Sequence, residues 1–248
     1  MTNDQLELDV LAVFSHPDDA ELSVAGTLLK LKHQGYRTGV LDMTRGEMGT
    51  RGTPALRAEE AKNAAALMKV DVRLNLDQPD GHVQVNDAAR TAFVRLLRQY
   101  HPKVVLTSAI DDPHPDHANT ALIVREGSRL ASMRRFDEEF GLASIAMPRI
   151  AHSIFSRLVL PSFVVDVSDF VEGKMAAIRA HESQFFRPGS DEPATRISDE
   201  GYLQQIEWRM RYYGSLISVK AGEAYYVREA LNVDDPVALL TRPMNIYS

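Results

Sequence analysis

Short apolar runs alternate with helically patterned segments through the first half of this chain, and that alternation leaves few folds open. Residues 8–14 form a strongly apolar segment that reads as a buried strand, after which Leu22, Ala25, Leu28 and Leu29 recur at helical spacing. Gly35 is placed as the stop of that helix. Residues 38–43 read as a second strand, 70–74 as a short third and 103–107 as a fourth. Between them, Thr53-Pro54 opens a helix that carries Ala58, Ala61, Ala65 and Met68 on one face. Asn86 or Asp87 caps another that turns Ala89, Phe93, Leu96 and Leu97 inward, and residues 116–131 form the next. This rhythm predicts the α/β class: a Rossmann-like, mostly parallel sheet with right-handed crossovers and helices on both faces.

After residue 134 the pattern loosens. Residues 153–160 and 163–167 read as further strands, and Ser168 as the cap of a helix reaching residue 179. Residues 186–197 hold two prolines and a glycine and read as a loop over a site or against another subunit. Residues 200–215 are helical by composition. With no repeat and no linker composition, the expectation is one domain over residues 1–248, a Rossmann-like core at about 6–134 and an extension at about 150–248.

Composition narrows the chemistry. A net charge of -6 gives no reason to expect nucleic acid or an anionic membrane as a partner. There are no cysteines, so disulfides, thiolate ligands and cysteine nucleophiles are excluded. A transition-metal site must use imidazole and carboxylate, which suit zinc or another divalent ion. No apolar run reaches about 18 residues, and the opening Met-Thr-Asn-Asp-Gln lacks a signal peptide's basic and apolar regions, so a cytoplasmic protein is expected.

Two clusters carry the functional signal: His16-Pro17-Asp18-Asp19-Ala20-Glu21 after the first strand and His114-Pro115-Asp116-His117 after the fourth. Loops at carboxyl strand ends are where open α/β sheets bind ligands. His16 and Asp19 are three apart, as are His114 and His117, so each pair can face one point from a turn or first helical turn. A catalytic zinc takes three protein ligands and leaves a place for water, and His16, Asp19 and one of the second pair would complete such a set. Asp18 could then take the water's proton. The plainer alternative is that these are turns, with Asp18 or Asp19 capping a helix and Glu21 complementing its dipole. No glycine-rich dinucleotide fingerprint follows the first strand.

These two motifs resemble the signatures of the LmbE-like (PIG-L) zinc N-acetylglucosaminyl deacetylases. The resemblance extends through Thr44-Arg45-Gly46-Glu47, Arg57 with Glu60, Pro79-Asp80-Gly81, residues 163–167 and Ser183-Gln184-Phe185, in the family's order. It is nearest to the N-acetylglucosaminyl-malate deacetylases of bacillithiol synthesis. The resemblance implies that His16, Asp19 and His117 bind zinc, with iron(II) compatible with the same ligands, and that Asp18 is the general base. It implies that His114, oriented by Asp116, polarises or protonates the tetrahedral intermediate, and that Arg57, Glu47 and Arg51 hold a small-molecule glycoside. It also implies a homo-oligomer, with a hexamer as the state to test. Rival expectations are a deacetylase or amidase of another glucosaminyl conjugate, of mycothiol or chitooligosaccharide type, and a non-catalytic Rossmann-like binding module.

Overall fold

The computed structural model describes residues 6–155 and 159–245. The opening pentapeptide, and residues 156–158 of the expected strand at 153–160, lie outside those residues. Seven strands form one sheet: β1 (Val10–Phe14), β2 (Thr38–Asp42), β3 (Val72–Asn75), β4 (Val104–Thr107), β5 (Arg149–Ser153), β6 (Phe163–Asp166) and β7 (Gly222–Tyr226), in the order β3-β2-β1-β4-β5-β7-β6. The pairings from β3 through β5 are parallel, whereas β7 runs antiparallel to both β5 and β6. The mostly parallel α/β sheet expected from the sequence is therefore present, with a mixed edge.

Side-chain alternation divides the core between two helical layers. Leu11, Val13, Leu41 and Val105 pack with α3 (Asp87–Tyr100) and α4 (Pro115–Ala131) through Phe93, Leu97, Ile123 and Val124. Val10, Ala12, Phe14, Val40 and Leu106 face α1 (Asp19–His33), α2 (Pro54–Met68) and α5 (Val171–Arg179) through Val24, Leu28, Met68 and Ala177. Each Val, Leu, Ile, Phe or Met among them contributes about 1.5–3 kcal/mol on full burial. Their concentration on β1 makes its carboxyl end a firm platform. α6 (Tyr202–Leu216) covers the mixed edge through Ile206, Met210 and Tyr213, and a short, exposed α7 (Pro236–Leu240) follows.

Several local expectations change. The strand expected from residue 153 instead ends there, as β5. Ser168 opens a 3-10 turn and bonds Asp166 Oδ1 at 2.6 Å, so α5 starts only at Val171. The inner face of α2 is Arg57, Glu60, Ala61, Ala64 and Met68, with Ala58 exposed and Ala65 only half-buried. Two charged residues are inside because that helix borders the site, where each finds polar partners. β7 escaped the sequence reading because it carries Glu223. That carboxylate is buried, accepting from Lys174 Nζ at 2.6 Å and from the backbone N–H groups of Gly26 (3.0 Å) and Thr27 (2.7 Å). A Cβ at residue 26 would lie 2.9 Å from Glu223 Oε1, so the close approach of α1 to β7 requires the glycine.

Candidate active site

β1 and β4 are adjacent and parallel, with Val13 opposite Thr107. The chain runs outward from β1 through β2 to β3 and returns on the other side of β1 as β4. The loops leaving β1 and β4 therefore flank a topological switch point, the usual ligand crevice of such sheets. This brings together two motifs about a hundred residues apart in sequence. Ser15 Oγ and Thr120 Oγ1, 2.8 Å apart, tie the two loops beneath the crevice.

Three donor atoms converge there. Asp19 Oδ2 lies 3.2 Å from both His16 Nδ1 and His117 Nε2, and those two nitrogens are 3.3 Å apart. Donors about 2.0–2.1 Å from a tetrahedral zinc are about 3.3 Å from one another, so the triangle has the edge lengths a zinc ion needs. The remaining imidazole nitrogens are held by carboxylates: His16 Nε2 by Asp80 Oδ1 at 3.0 Å and Asp116 Oδ2 at 3.2 Å, and His117 Nδ1 by Asp112 Oδ1 at 3.1 Å. Each ring thereby directs its other lone pair at the common point, an arrangement typical of metal-binding histidines. Burial alone would depress His16, yet Asp116, Asp19 and Asp80 raise it to about 12. Burial likewise opposes, and Asp19 and Asp112 outweigh it, in raising His117 to about 10. The surroundings favour positive charge at this point.

Asp18 occupies the residue before α1 but does not cap it, since its side chain makes no cap hydrogen bond. Its backbone is strained, at φ 120° and ψ -28°, a region that non-glycine residues rarely adopt. Arg57 holds it there, donating to Pro17 O at 2.7 Å, Gly46 O at 2.8 Å and Asp18 Oδ2 at 3.3 Å. Burial pushes the Asp18 carboxyl up to about 6, against the opposing Arg57 charge and with Asp19 adding to the rise. Glu21, in the first turn of α1, is fully buried and paired with Arg73 and with His181 Nε2 at 3.3 Å. The capping alternative fails at Asp18, and the Asp19 carboxylate accepts from the His16 backbone N–H at 2.9 Å.

His16, Asp18, Asp19, Arg57, His114 and His117 share one cavity of about 480 Å³. A strained carboxylate beside three convergent donors that could hold a metal ion is an arrangement able to activate a water molecule.

Residues 11–127 match the PIG-L family profile, described as GlcNAc-PI de-N-acetylase. A diacetylchitobiose deacetylase of Thermococcus kodakarensis is 31% identical over 189 residues, covering 71% of this chain and 70% of that protein. The chain belongs to the PIG-L family. The Bacillus anthracis protein named "Probable N-acetyl-alpha-D-glucosaminyl L-malate deacetylase 2" is 26% identical over 222 residues, 83% of this chain and 93% of that one. Among solved structures, a conserved protein of Thermus thermophilus superposes with a TM-score of 0.81 at 32% identity, covering 91% of this chain and 97% of that chain. This PIG-L chain is an enzyme, a deacetylase of N-acetylglucosamine-type substrates.

Three family-implied roles are redrawn by the geometry. The Asp116 carboxylate does not orient His114: it accepts from Gly81 N at 2.7 Å and Val83 N at 3.1 Å and bonds His16. Only the backbone N–H of Asp116 reaches His114, donating to Nδ1 at 3.2 Å. That contact leaves the His114 proton on Nε2. Burial, with the neighbouring His117 and His16, pushes His114 below its ordinary value, so the neutral ring is favoured. Arg51 and Glu47 do not line the cavity. Arg51 is buried among Phe185 O, Ser190 Oγ and Glu192, and Glu47 accepts from Asp80 N at 2.9 Å. They brace the loops around the site.

Sequence reasoning missed Asp112 and noted Asp80 only within the Pro79-Asp80-Gly81 motif, with no role. Asp112 stands two residues before His114, whose backbone N–H it accepts at 2.9 Å, and that spacing was the available signal. Tyr202, Arg196 and Arg209, from α6 and the loop before it, complete the wall and carried no signal. The loop at 186–197 does reach the site, since Arg196 and Ile197 line it. No helix among the described residues is long and apolar enough to cross a membrane.

Proposed function

We propose that this chain hydrolyses the acetamide of N-acetylglucosaminyl malate with a zinc ion held by His16, Asp19 and His117. Asp18 is the general base. The convergence of Asp19 Oδ2, His16 Nδ1 and His117 Nε2 within 3.2–3.3 Å of one another carries this reading. A bound divalent ion supplies Lewis acidity toward water and the acetyl carbonyl, and iron(II) could take the same donors.

The chain's own groups manage the protons. Arg57 holds Asp18 Oδ2, and among the described residues no hydrogen bond occupies Oδ1, so Oδ1 takes the proton of the attacking water. The water oxygen bonds to the acetyl carbon, and the C–N bond then breaks. The His114 Nε2–H faces the developing oxyanion as a neutral donor. The same carboxyl, once protonated, returns the proton to the leaving amine. The products are acetate and the free glucosaminyl amine.

The malate aglycone is supported by the similarity to the Bacillus anthracis protein over nearly all of its length. A chitooligosaccharide is the second reading, favoured by the higher identity to the Thermococcus kodakarensis enzyme. Acetate release from N-acetylglucosaminyl malate, diacetylchitobiose and a mycothiol-type inositol glycoside, with and without chelator, tests both. Loss of rate on chelation and recovery with zinc is expected, with the highest kcat/KM on the malate conjugate. Chelator-insensitive turnover would overturn the metal, and a higher kcat/KM on diacetylchitobiose would overturn the aglycone.

A further inference from the structure

Two guanidinium groups on the cavity wall lack a counter-charge. Arg196 and Arg209 line the same cavity as His16, Asp18 and His117, and among the described residues neither forms an ion pair. Arg209 is half-buried, its guanidinium 4.2 Å over the Phe155 ring, and its Nη1 is buried with no hydrogen-bond partner. Elsewhere, buried arginines are engaged: Arg73 spans Glu21 and Asp42, and Arg98 donates to the carbonyls of Ala131, Met133, Phe136 and Leu142. Leaving such a donor unpaired is costly unless a ligand supplies the acceptor. Burial holds Arg209 below the ordinary arginine value, and the neighbouring Arg196 charge acts in the same direction.

The cavity is also polarised. The loops after β1 and β4 contribute Asp18, Asp19 and Asp112, and Asp80 joins them from the loop after β3. α6 and the preceding loop contribute the two arginines. Tyr202 lines the same cavity as both sets of charge. A volume of about 480 Å³ has room for a sugar together with its substituent.

We propose that Arg196 and Arg209 form an oxyanion subsite that selects substrates with an anionic aglycone, a carboxylate or a phosphate, when the acetamide lies at His16, Asp19 and His117. This rests on the deacetylase reading above and specifies its substrate class. Guanidinium forks pair with either oxyanion in a bidentate manner, and Arg196 and Arg209 both line this cavity with no carboxylate paired to them among the described residues.

The test compares kcat and KM of the full zinc-loaded chain and of Arg209→Met, Arg209→Lys and Arg196→Ala. The substrates are N-acetylglucosaminyl malate, N-acetylglucosamine 1-phosphate and neutral methyl N-acetylglucosaminide. Arg209→Met should raise KM about tenfold or more for the anionic substrate, with kcat within about twofold and the neutral glycoside unaffected. Arg209→Lys should recover part of the loss, and Arg196→Ala, at an exposed residue, should act in the same direction without a folding defect. Whichever anionic substrate loses its advantage identifies carboxylate or phosphate as the ligand. Calorimetric binding of free malate and of inorganic phosphate gives a readout independent of turnover, and the Arg196→Ala, Arg209→Met double variant should lose it. Equal losses on neutral and anionic substrates, or undiminished anion binding by the double variant, would overturn the subsite and leave the deacetylase reading intact. No acetate from any of the three substrates would overturn the deacetylase reading, while the anion-binding comparison would still decide the subsite.

Discussion

Asp112 offers a graded test of the metal centre that does not touch a proposed ligand. Its Oδ1 lies 3.1 Å from His117 Nδ1 and accepts the His114 backbone N–H at 2.9 Å. With His117 Nε2 aimed at the ion, Nδ1 must carry the proton and donate to Asp112. Losing such an outer partner typically weakens metal binding about 10- to 100-fold, or about 1.4–2.7 kcal/mol. Asp112→Asn keeps an Oδ1 acceptor for both N–H groups and removes only the charge, so it belongs near the tenfold end. Asp112→Ala removes the acceptor as well, frees the His117 ring and belongs near the hundredfold end. The assay is competition for zinc against a chromophoric chelator, with melting in excess chelator as the folding control. Wild-type zinc affinity in Asp112→Ala, or a larger loss in Asp112→Asn than in Asp112→Ala, would refute the reasoning.

Asp18→Asn should keep zinc stoichiometric by elemental analysis while lowering kcat about 100- to 10,000-fold, the usual range for a lost general base. Burial raises Asp18 to about 6 in the metal-free protein; the ionised carboxylate is the base, so the wild-type rate should climb with pH on the acid side and that limb should vanish in Asp18→Asn. In metal-free protein that raised value means the native state holds the proton more tightly than the unfolded chain, whose value is 3.8. Stability is therefore lost as pH rises from about 4 through about 6, and urea titrations of Asp18→Asn should show a shallower loss. His114→Ala should retain zinc and lose about 100- to 1000-fold in kcat, and loss of zinc instead would make His114 a ligand. Lys174→Met leaves the buried Glu223 without its cation, and denaturation should report a loss of about 3–5 kcal/mol with the catalytic residues untouched.

The sheet was legible in the sequence because buried parallel strands are nearly all apolar and their helices keep a 3.6-residue period. β1 shows this most plainly, buried at all five positions. Legibility failed at several buried charged residues. Glu223 hid β7, and Arg57 with Glu60 turned the expected face of α2. In each case the compensating partner is far away in sequence: Lys174 for Glu223, Pro17 and Asp18 for Arg57, Ser183 for Glu60. Periodicity reports which residues share a face, whereas a pairing across the fold is invisible until the fold exists. The same limit applied at the site. His16 and Asp19 could be placed in a candidate donor set by their spacing, whereas His117 was chosen over His114 only by the family resemblance. Asp116 was assigned to the wrong histidine, because its carboxylate reaches across the crevice to His16 rather than along its own helix.

That crossing explains why the two motifs act as one unit. Asp116, from the β4 side, holds the Nε2 of His16 from the β1 side, and Asp19, from the β1 side, lies 3.2 Å from the Nε2 of His117 on the β4 side. The β4 side thus supplies a carboxylate that fixes the β1 loop's imidazole, Asp112 fixes His117 within its own loop, and the donor triangle itself spans both loops. Asp116 also accepts from Gly81 and Val83, which locks Asp80 and the loop after β3 to the same point. A displacement of β1 against β4 would disturb the donor triangle and the hydrogen bonds that aim it together. The geometry therefore depends on the register between these two strands, set by the continuous apolar packing on both faces of β1. The reactive loops can carry strain such as that at Asp18 because the strands beneath them cannot slip without moving every core side chain to the wrong face.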